Sequence, residues 1–365
     1  MNKFVYVDAS ASWLKPKELI AVQSDFLQNM YANAGRGVCL RAGNVDKLIQ
    51  DSRKVVADFI GAKPQNIVWT AGTTDSLNRI VNIIKNTINN KNIVVAVSDL
   101  DHHSARLPFE KYFENVVVMP LDEKLNIDVN GVPYADVVVI TAMSNVLGQG
   151  QDVKSIVRAA KNKNPNVITV VDAAQSVVHS KINVVDMDCD FLCFSGHKIG
   201  SDTGVGVMYI KNINAWNVDK FGGGMVTRIT DSDIVLNHAP EKFEAGTLPI
   251  TQIIGIPTAI QYHNNWDGGK DLINFMHNEL SKVKNIRLLT TPDACMVSFV
   301  PVHLYMLDFG ALVGARGVCL RVGNMCASWI HKKLNVDGSA RISVGPWNTI
   351  EDAEYVVNVI KDVVA

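Results

Sequence analysis

The sequence lacks the charge asymmetry and the long apolar runs that mark several classes of protein. Its 35 Lys and Arg residues balance 36 Asp and Glu residues, and no run of like charges occurs. We therefore expect neither a nucleic acid nor an anionic membrane surface as a partner. No stretch approaches the ~18 consecutive apolar residues of a membrane span, and the opening "MNKFVYVDASASWLKPKE" lacks the apolar core of a signal peptide. These absences predict a cytoplasmic protein that acts on a small molecule.

Cysteine is scarce, and its spacing excludes the common cysteine-based sites. The chain contains no CxxC pair and no paired Cys/His spacing of the kind that binds zinc, so we expect no metal site. Disulfides are rare in a reducing compartment. We expect most of the six cysteines to be small buried hydrophobic residues; they are Cys39, Cys189, Cys193, Cys295, Cys319 and Cys326.

Linkers and long internal repeats are also absent. The composition, 47% hydrophobic and 19% charged, is that of a globular protein. Internal similarity is confined to ten residues: "GRGVCLRAGN" at 35–44 and "ARGVCLRVGN" at 315–324 match at 8 positions. Ten residues are far short of the ~20–50-residue period of a repeat protein, so we interpret these segments as two similar loops.

Short runs rich in Val and Ile recur through the first part of the chain. They are continuous in hydrophobicity instead of alternating, which is typical of strands covered on both faces. Helical patterns lie between several of them, as at 73–88 and 152–163. Strands and helices that alternate in this way predict a mostly parallel α/β sheet. The predicted strands are 92–98, 115–119, 135–142, 166–173, 191–196 and 204–210.

After about residue 250 the pattern changes to that of a smaller α+β unit. Long helical patterns come first, two short strands follow, and a helix closes the chain. No linker separates this unit from the preceding one. The predicted helices are 250–265, 269–283 and 350–364, and the predicted strands are near 295–300 and 316–322.

The segment "CDFLCFSGHKIGSDTGVG" at 189–206 carries the clearest chemical signal. A strand ends here and places Lys198 at its carboxyl end, where open α/β sheets bind ligands. A partly desolvated lysine loses its proton readily and forms a Schiff base with a carbonyl cofactor, as pyridoxal 5′-phosphate (PLP) requires. A solvated lysine at a strand end is the alternative.

Asp172 ends the preceding buried strand, in "VVDAAQ". A carboxylate at this place supplies the counter-charge that a pyridinium nitrogen needs, and Gln175 lies within reach of the same ring. A helix cap or a metal ligand is the alternative for an aspartate at a strand end. In "WTAGTTDSLN" the residues Thr73 and Thr74 open a helix and offer hydroxyl and N–H groups to a phosphate, although threonine is also an ordinary N-cap.

Seven motifs together resemble a known family. In their order and approximate spacing they are similar to the NifS/SufS-type cysteine desulfurases, which are class V aminotransferases of PLP fold type I. The resemblance runs from about residue 5 to the C-terminus and implies a large PLP-binding domain over 16–260. Residues 1–15 and 261–365 would then form a small domain that carries the cysteine loop. The motifs are "GTTDSLN", "DHHSA", "SNVLG", "VDAAQ", "DFLCFSGHK", "FEAGT" and "RVGNMCA".

The resemblance implies PLP as the cofactor and assigns residues to it. Lys198 would bind it covalently, Asp172 its ring nitrogen and Gln175 its phenolic oxygen. His102, in preference to its neighbour His103, would stack on the ring and transfer protons. Thr247 would reach the phosphate in the other subunit, which implies a homodimer with shared active sites. The remaining phosphate ligands would be Thr73, Thr74, Ser195 and His197.

The resemblance also assigns the substrate and the nucleophile. Arg341, Asn145 and Arg321 would form the substrate site, since a guanidinium grips a carboxylate with two parallel bonds. Cys326 ends an "RxGxxC" pattern and would attack the sulfur of bound L-cysteine, leaving L-alanine and a persulfide. Nearby positive charge from Arg321 would favour the thiolate. Cys319 is expected in the core, and Cys39 is expected to be structural.

The implied function is a PLP-dependent cysteine desulfurase that supplies sulfur to an acceptor protein, for example in iron–sulfur cluster assembly. The chain departs from the family at Asn324 and Met325, which replace histidines, at the "LPI" that follows "FEAGT", and in a trimmed stretch within 265–300. Alternatives are a selenocysteine lyase, another class V PLP enzyme (C–S lyase, epimerase or transaminase), and a scaffold that binds partners without catalysis.

Overall fold

A computed structural model describes residues 4–35, 37–88, 90 and 92–365. The predicted strands of the first part form, each within two residues of its predicted ends. The strands are β1 (Val5–Tyr6), β2 (Ile67–Thr70), β3 (Val94–Ser98), β4 (Asn115–Met119), β5 (Val137–Thr141), β6 (Ile168–Asp172), β7 (Phe191–Ser195), β8 (Gly206–Ile210), β9 (Val226–Ile229), β10 (Ile234–Leu236), β11 (Ile286–Leu288), β12 (Val297–Pro301), β13 (Val318–Cys319), β14 (Arg321–Gly323) and β15 (Ser339–Ile342).

Helices fill the intervals between these strands. In the described part of the chain, none of them is long and apolar enough to cross a membrane. The helices are α1 (Lys17–Asp25), α2 (Leu40–Ile60), α3 (Thr73–Thr87), α4 (His103–Tyr112), α5 (Val153–Lys163), α6 (Ser176–His179), α7 (Val184–Met187), α8 (Ile250–Asn264), α9 (Lys270–Ser281), α10 (Met306–Ala315), α11 (Ser328–Lys333) and α12 (Ile350–Val364).

The central sheet has seven strands in the order β2-β8-β7-β6-β5-β3-β4. Its pairs from β7 through β6, β5 and β3 to β4 are parallel, whereas β8 runs antiparallel to both β7 and β2. The predicted α/β fold with a mostly parallel mixed sheet is therefore confirmed. Parallel strands bring their carboxyl ends to one edge of the sheet, where ligands bind in open α/β folds.

Both faces of this sheet are covered, which explains the continuous apolar runs of the sequence. Successive residues of a strand point to opposite faces. In β5, Val137 and Val139 belong to one buried cluster, and Val138 and Ile140 belong to another. Every residue of β5 is buried. The run is apolar throughout because neither face meets water.

A second, antiparallel sheet of order β11-β12-β15-β14 lies in the last part of the chain. A third buried cluster joins Val5 and Val7 of the N-terminal segment to residues between 273 and 364. β1 pairs with β13, and Asp8 forms an isolated bridge with Ser343. The N-terminal segment is thus built into the C-terminal unit; the exact domain division at 16–260 stays a prediction.

The prediction of a single strand at 316–322 is wrong. The segment forms two short strands, β13 and β14, which pair with β1 and β15 respectively and so belong to different sheets. Hydrophobicity alone does not separate them, because the division depends on partners that are distant in sequence.

A buried ion pair ties α2 to the segment that follows β10. Arg53 donates two hydrogen bonds to Glu244, Nη1 to Oε1 at 2.7 Å and Nη2 to Oε2 at 2.9 Å. The N–H of Trp69 donates to the same Oε1 at 2.8 Å. Both charged side chains are almost inaccessible to solvent. Loss of one partner would leave a buried charge uncompensated.

We therefore expect Glu244→Gln to lower the free energy of unfolding by about 3 kcal/mol. The measurement is denaturant unfolding of the variant and the parent under identical conditions. Glu241→Gln is the matched control because Glu241 is only half-buried, and it should change stability by less than about 0.5 kcal/mol. Equal stabilities of the Glu244 and Glu241 variants would contradict the expectation.

Candidate active site

A cavity of about 310 Å³ opens at the carboxyl ends of the central strands. Thr141, Asp172 and Ser195 are the last residues of β5, β6 and β7, and all three line it. Its volume is in the range of small-ligand sites, roughly 300–1,000 Å³. Every residue singled out from the sequence for the site lines this cavity except Thr247. The residues brought together are Thr73, Thr74, His102, Asn145, Asp172, Gln175, Ser195, His197, Lys198, Arg321, Cys326 and Arg341.

Lys198 lies in a single helical turn, Gly196–Ile199, that directly follows β7. Its Nζ donates to the carbonyl oxygen of Ser10 at 2.8 Å. Burial and, to a smaller extent, the positive charge of Arg341 lower the pKa of Lys198 to about 8, although the charge of Asp172 acts in the opposite direction. An amine with this pKa is neutral in a substantial fraction of molecules near neutral pH, which makes it a usable nucleophile.

Asp172 and Gln175 occupy the end of β6 and the turn after it. Burial raises the pKa of Asp172, and the N–H of Ala174, which donates to its Oδ1 at 2.9 Å, acts in the opposite direction. Gln175 donates from Nε2 to the carbonyl of Ser10 at 2.9 Å. Its buried Oε1 has no hydrogen-bond partner among the described residues. The buried carboxylate can balance a cation, and the free amide oxygen can accept a further hydrogen bond.

The start of α3 forms a polar corner against the end of β7. Thr73 donates its N–H to Ser195 Oγ at 2.8 Å, and the two hydroxyl groups also lie 2.8 Å apart. Gly72 has φ 147°, and its Cα would lie 2.5 Å from a Cβ placed on Gly206. This close approach of two glycines brings α3 against the sheet. Helix N-termini bind anions through their free N–H groups, so the corner suits a phosphate.

His102 caps α4 and faces the same cavity. Its Nδ1 accepts from the N–H of Ser104 at 3.1 Å, which leaves the proton of the neutral ring on Nε2. Burial lowers the pKa of His102 to about 4, and the charge of Lys198 acts in the same direction. Burial likewise lowers the pKa of His197 to about 4. Both rings are therefore neutral at physiological pH.

Two arginines from adjacent strands enter the cavity side by side. Arg321 in β14 is paired directly with Arg341 in β15. Arg341 is buried and donates from Nη1 to the carbonyl of Asn145 at 2.8 Å. Its Nη2 lies 3.1 Å from Oδ1 of Asp8, and Nη2 of Arg321 lies 2.7 Å from Oδ2 of the same residue. Asp8 was not predicted from the sequence, because the tertiary contacts of the N-terminal segment with β13 and with Ser343 bring it here.

Cys326 is exposed on a tight loop at the mouth of the cavity. Met325 and Cys326 both have positive φ, 50° and 54°, a conformation that costs free energy in residues other than glycine. Three hydrogen bonds hold the loop. The N–H of Cys326 donates to Asn324 Oδ1 at 3.1 Å, its carbonyl accepts from the N–H of His103 at 2.7 Å, and Asn145 Nδ2 donates to the Met325 carbonyl at 2.8 Å.

The hydrogen bond from Cys326 N to Asn324 Oδ1 gives Asn324 a structural role in the loop, which the sequence comparison with the family did not predict. An asparagine side chain that accepts from the N–H two residues later stabilises a local turn. Met325, the second departure, lines the cavity. The two residues that depart from the family therefore both contribute to the site: Asn324 stabilises the turn of the loop, and Met325 forms part of the cavity wall.

The family model described as Aminotransferase class-V matches residues 5–356. The chain belongs to this family. A protein of Vibrio cholerae named probable cysteine desulfurase is 29% identical over 98% of this chain and 93% of its own length. Cysteine desulfurase CsdA of Escherichia coli is 28% identical, again over 98% of this chain and 93% of its own. The apo structure of a cysteine desulfurase from Thermococcus onnurineus, 29% identical, has a TM-score of 0.92 and covers 100% of this chain and 95% of that one.

These similarities confirm the family and PLP fold type I for this class-V aminotransferase. The family implies PLP as cofactor, and the cavity fits that group. Its polar corner suits the phosphate, its buried aspartate suits the ring nitrogen, and Gln175 Oε1 and His197 Nδ1 are buried polar atoms that lack a partner in the described part of the chain. Across the described ranges no group of three or more His, Cys, Asp or Glu side chains could hold a metal ion.

Thr247 is exposed in this class-V chain and does not line its own cavity. A residue that serves the other subunit's phosphate has to lie outside its own site. The position is compatible with that role, which stays a prediction.

Two expectations about cysteine are wrong. Only Cys189 and Cys193 are buried, so most of the six are not core residues; all six are free thiols. Cys319 is exposed because it alternates with the buried Val318 in β13 and so points to the other face. Cys39 is also exposed, at the N-terminus of α2.

Proposed function

We propose that this chain is a PLP-dependent cysteine desulfurase that converts L-cysteine to L-alanine and retains the sulfur as a persulfide on Cys326. The observation that carries this proposal is the convergence of three groups on one cavity: a lysine of lowered pKa, a buried arginine and an exposed thiol. The relatives named cysteine desulfurase support the choice of substrate.

The residues would divide the work as follows. Lys198 would bind the cofactor covalently, with Asp172 at its ring nitrogen and Gln175 beside its phenolic oxygen. Thr73, Thr74, Ser195 and His197 would bind the phosphate, and the neutral ring of His102 would stack on the cofactor. When bound, PLP supplies an electron sink for bonds to the substrate α-carbon.

Substrate would be held by its carboxylate and attacked at its sulfur. Arg341 offers a buried guanidinium whose Nε has no partner in the region that the structure describes, and Asn145 and Arg321 lie beside it. The Cys326 thiolate forms an S–S bond to the substrate sulfur as the S–Cβ bond breaks. The electron pair of that bond stays with Cβ, which takes up a proton and becomes the methyl group of alanine. No external oxidant is required, because Cβ keeps the two electrons that the sulfur loses when the persulfide forms.

Exposure of Cys326 leaves the persulfide accessible to an acceptor protein, and we include such an acceptor in the proposal.

We also propose that the enzyme works as a homodimer. Val38 and Leu40, just before α2 and at its first residue, are large apolar side chains that are almost fully exposed, and Thr247 is exposed without lining its own cavity. Apolar residues in such positions are typical of an interface between subunits.

The test of the function is product analysis. The protein is loaded with PLP and incubated with L-cysteine and a thiol reductant, and alanine and sulfide are quantified in the same sample. Equal amounts of the two products support the desulfurase. A loaded protein that yields neither product from L-cysteine, or that turns over only selenocysteine, overturns it.

The lowered pKa of Lys198 makes a prediction about loading. With a pKa of about 8, about one-tenth of Lys198 is neutral at pH 7 and about half at pH 8. We expect the rate of covalent PLP incorporation to rise about tenfold per pH unit below pH 7 and to level off above pH 8. Stopped-flow absorbance measures this rate. A rate that still rises steeply above pH 9 would mean that Lys198 titrates as an ordinary solvated lysine.

A further inference from the structure

Asp8 joins the two arginines of the cavity, one through each carboxylate oxygen. Its backbone is fixed as well as its side chain. Asp8 forms a β-bridge with Ser343. The two residues that follow Asp8 also bind Ser343: Ala9 N donates to its carbonyl oxygen at 3.1 Å, and Ser10 N donates to its Oγ at 2.8 Å. Both the backbone and the carboxylate of Asp8 are therefore held in a fixed position beside the arginines.

Asp8 lies behind the arginines and not on the cavity surface. Arg321 and Arg341 line the cavity, whereas Asp8 does not and is only 7% exposed. A ligand would meet the guanidinium groups, and Asp8 would act on the ligand through them. Asp8 is thus a positioning residue.

The charges at this end of the cavity can be counted. Two guanidinium groups and one carboxylate leave a net charge of +1. In the PLP-loaded protein Lys198 would be bonded to the cofactor and Asp172 would face its ring nitrogen, so neither is counted with the arginine pair. One positive charge matches one carboxylate, and a second anionic group on the same ligand would find no counter-charge. Charge mismatch in a desolvated site is costly, whereas in bulk water it is largely screened.

We propose that Asp8 determines specificity by reducing the charge of the arginine pair, so that the site accepts amino acids with a single carboxylate and disfavours those with an anionic side chain. The inference rests on the proposed function, which assigns the arginines to the substrate carboxylate. L-Aspartate is L-alanine with one added carboxylate, and the two therefore form a matched pair of probes.

The test is calorimetric binding of L-alanine and L-aspartate to the PLP-loaded protein and to its Asp8→Asn variant. Asparagine keeps the shape of the side chain and removes the charge. We expect the affinity for aspartate relative to that for alanine to rise about tenfold in Asp8→Asn. Asp8→Glu, which keeps the charge, should return the ratio to the parental value. The ratio is taken within each variant, so a uniform loss of active protein does not move it.

Arg321→Gln provides a second variant with little risk to folding, because the Arg321 side chain is 48% exposed. It lowers the charge of the cluster from +1 to 0, and the aspartate-to-alanine ratio should fall. An unchanged ratio in both Asp8→Asn and Arg321→Gln overturns the inference. Failure of the proposed function shows differently, as a parent protein that makes no alanine from L-cysteine, and the binding ratio can be measured in either case.

Discussion

Replacing Cys326 with serine is expected to reduce the formation of alanine from L-cysteine by about 10³-fold or more, because a hydroxyl group cannot take up the substrate sulfur as a persulfide. The arginines, Asn145 and the cofactor ligands remain in place. We therefore expect L-cysteine to bind the variant within about twofold of its affinity for the parent. Alanine is quantified by chromatography, and binding is followed by the change in the visible absorption spectrum.

The chain offers a matched control for this substitution. Cys319 is also exposed and lies in β13, seven residues before Cys326, but it does not line the cavity. Cys319→Ser should retain turnover within about twofold, since surface substitutions away from a site have small effects. If Cys326→Ser turned over L-cysteine as fast as Cys319→Ser does, the enzyme would belong to the C–S lyases, whose reaction does not need this thiol.

Much of the fold is readable in the sequence because the central strands are buried on both faces. Continuous Val and Ile runs are a strong signal, and strands β3 to β8 follow from them. Short strands carry no such signal. β1 has two residues, and β9 and β10 contain no buried residue, so their patterns resemble those of loops. Their pairing depends on tertiary partners that hydrophobicity does not reveal.

The two similar segments at 35–44 and 315–324 also show that local sequence does not determine secondary structure by itself. In the first, "LRAGN" begins helix α2; in the second, "LRVGN" supplies β14. Almost identical sequences thus form a helix and a strand. Local preference is weak over so few residues, and the packing partners decide the outcome.

The cavity residues were foreseeable from motif resemblance, whereas the contacts that tune them were not. Asp172 ends β6, Lys198 follows β7 and Thr73 opens α3, so the carboxyl edge of the sheet brings the three together. Asp8 reaches Arg341 across 333 residues of sequence. No spacing rule covers such a separation, which is closed by the pairing of β1 with β13 and by the bridge between Asp8 and Ser343.

Replacing Lys198 with alanine is expected to abolish covalent retention of PLP and to lower turnover of L-cysteine by about 10³-fold or more. No other lysine lines the cavity formed by the described residues. The measurement is intact-protein mass after borohydride reduction: the parent should gain the mass of one reduced cofactor, and the variant should gain none.

Lys15→Met is the matched control for this lysine. Burial lowers the pKa of Lys15 as it does that of Lys198, but Lys15 donates to the carbonyls of Trp13 and Ser201 and lies outside the cavity lining. A lowered pKa alone would make both lysines reactive, whereas the proposed site needs an amine at the end of β7. Retention of PLP in Lys15→Met and its loss in Lys198→Ala would therefore show that the lysine after β7 binds the cofactor and that a lowered pKa alone is not sufficient. Retention in both variants would remove Lys198 from the proposed mechanism.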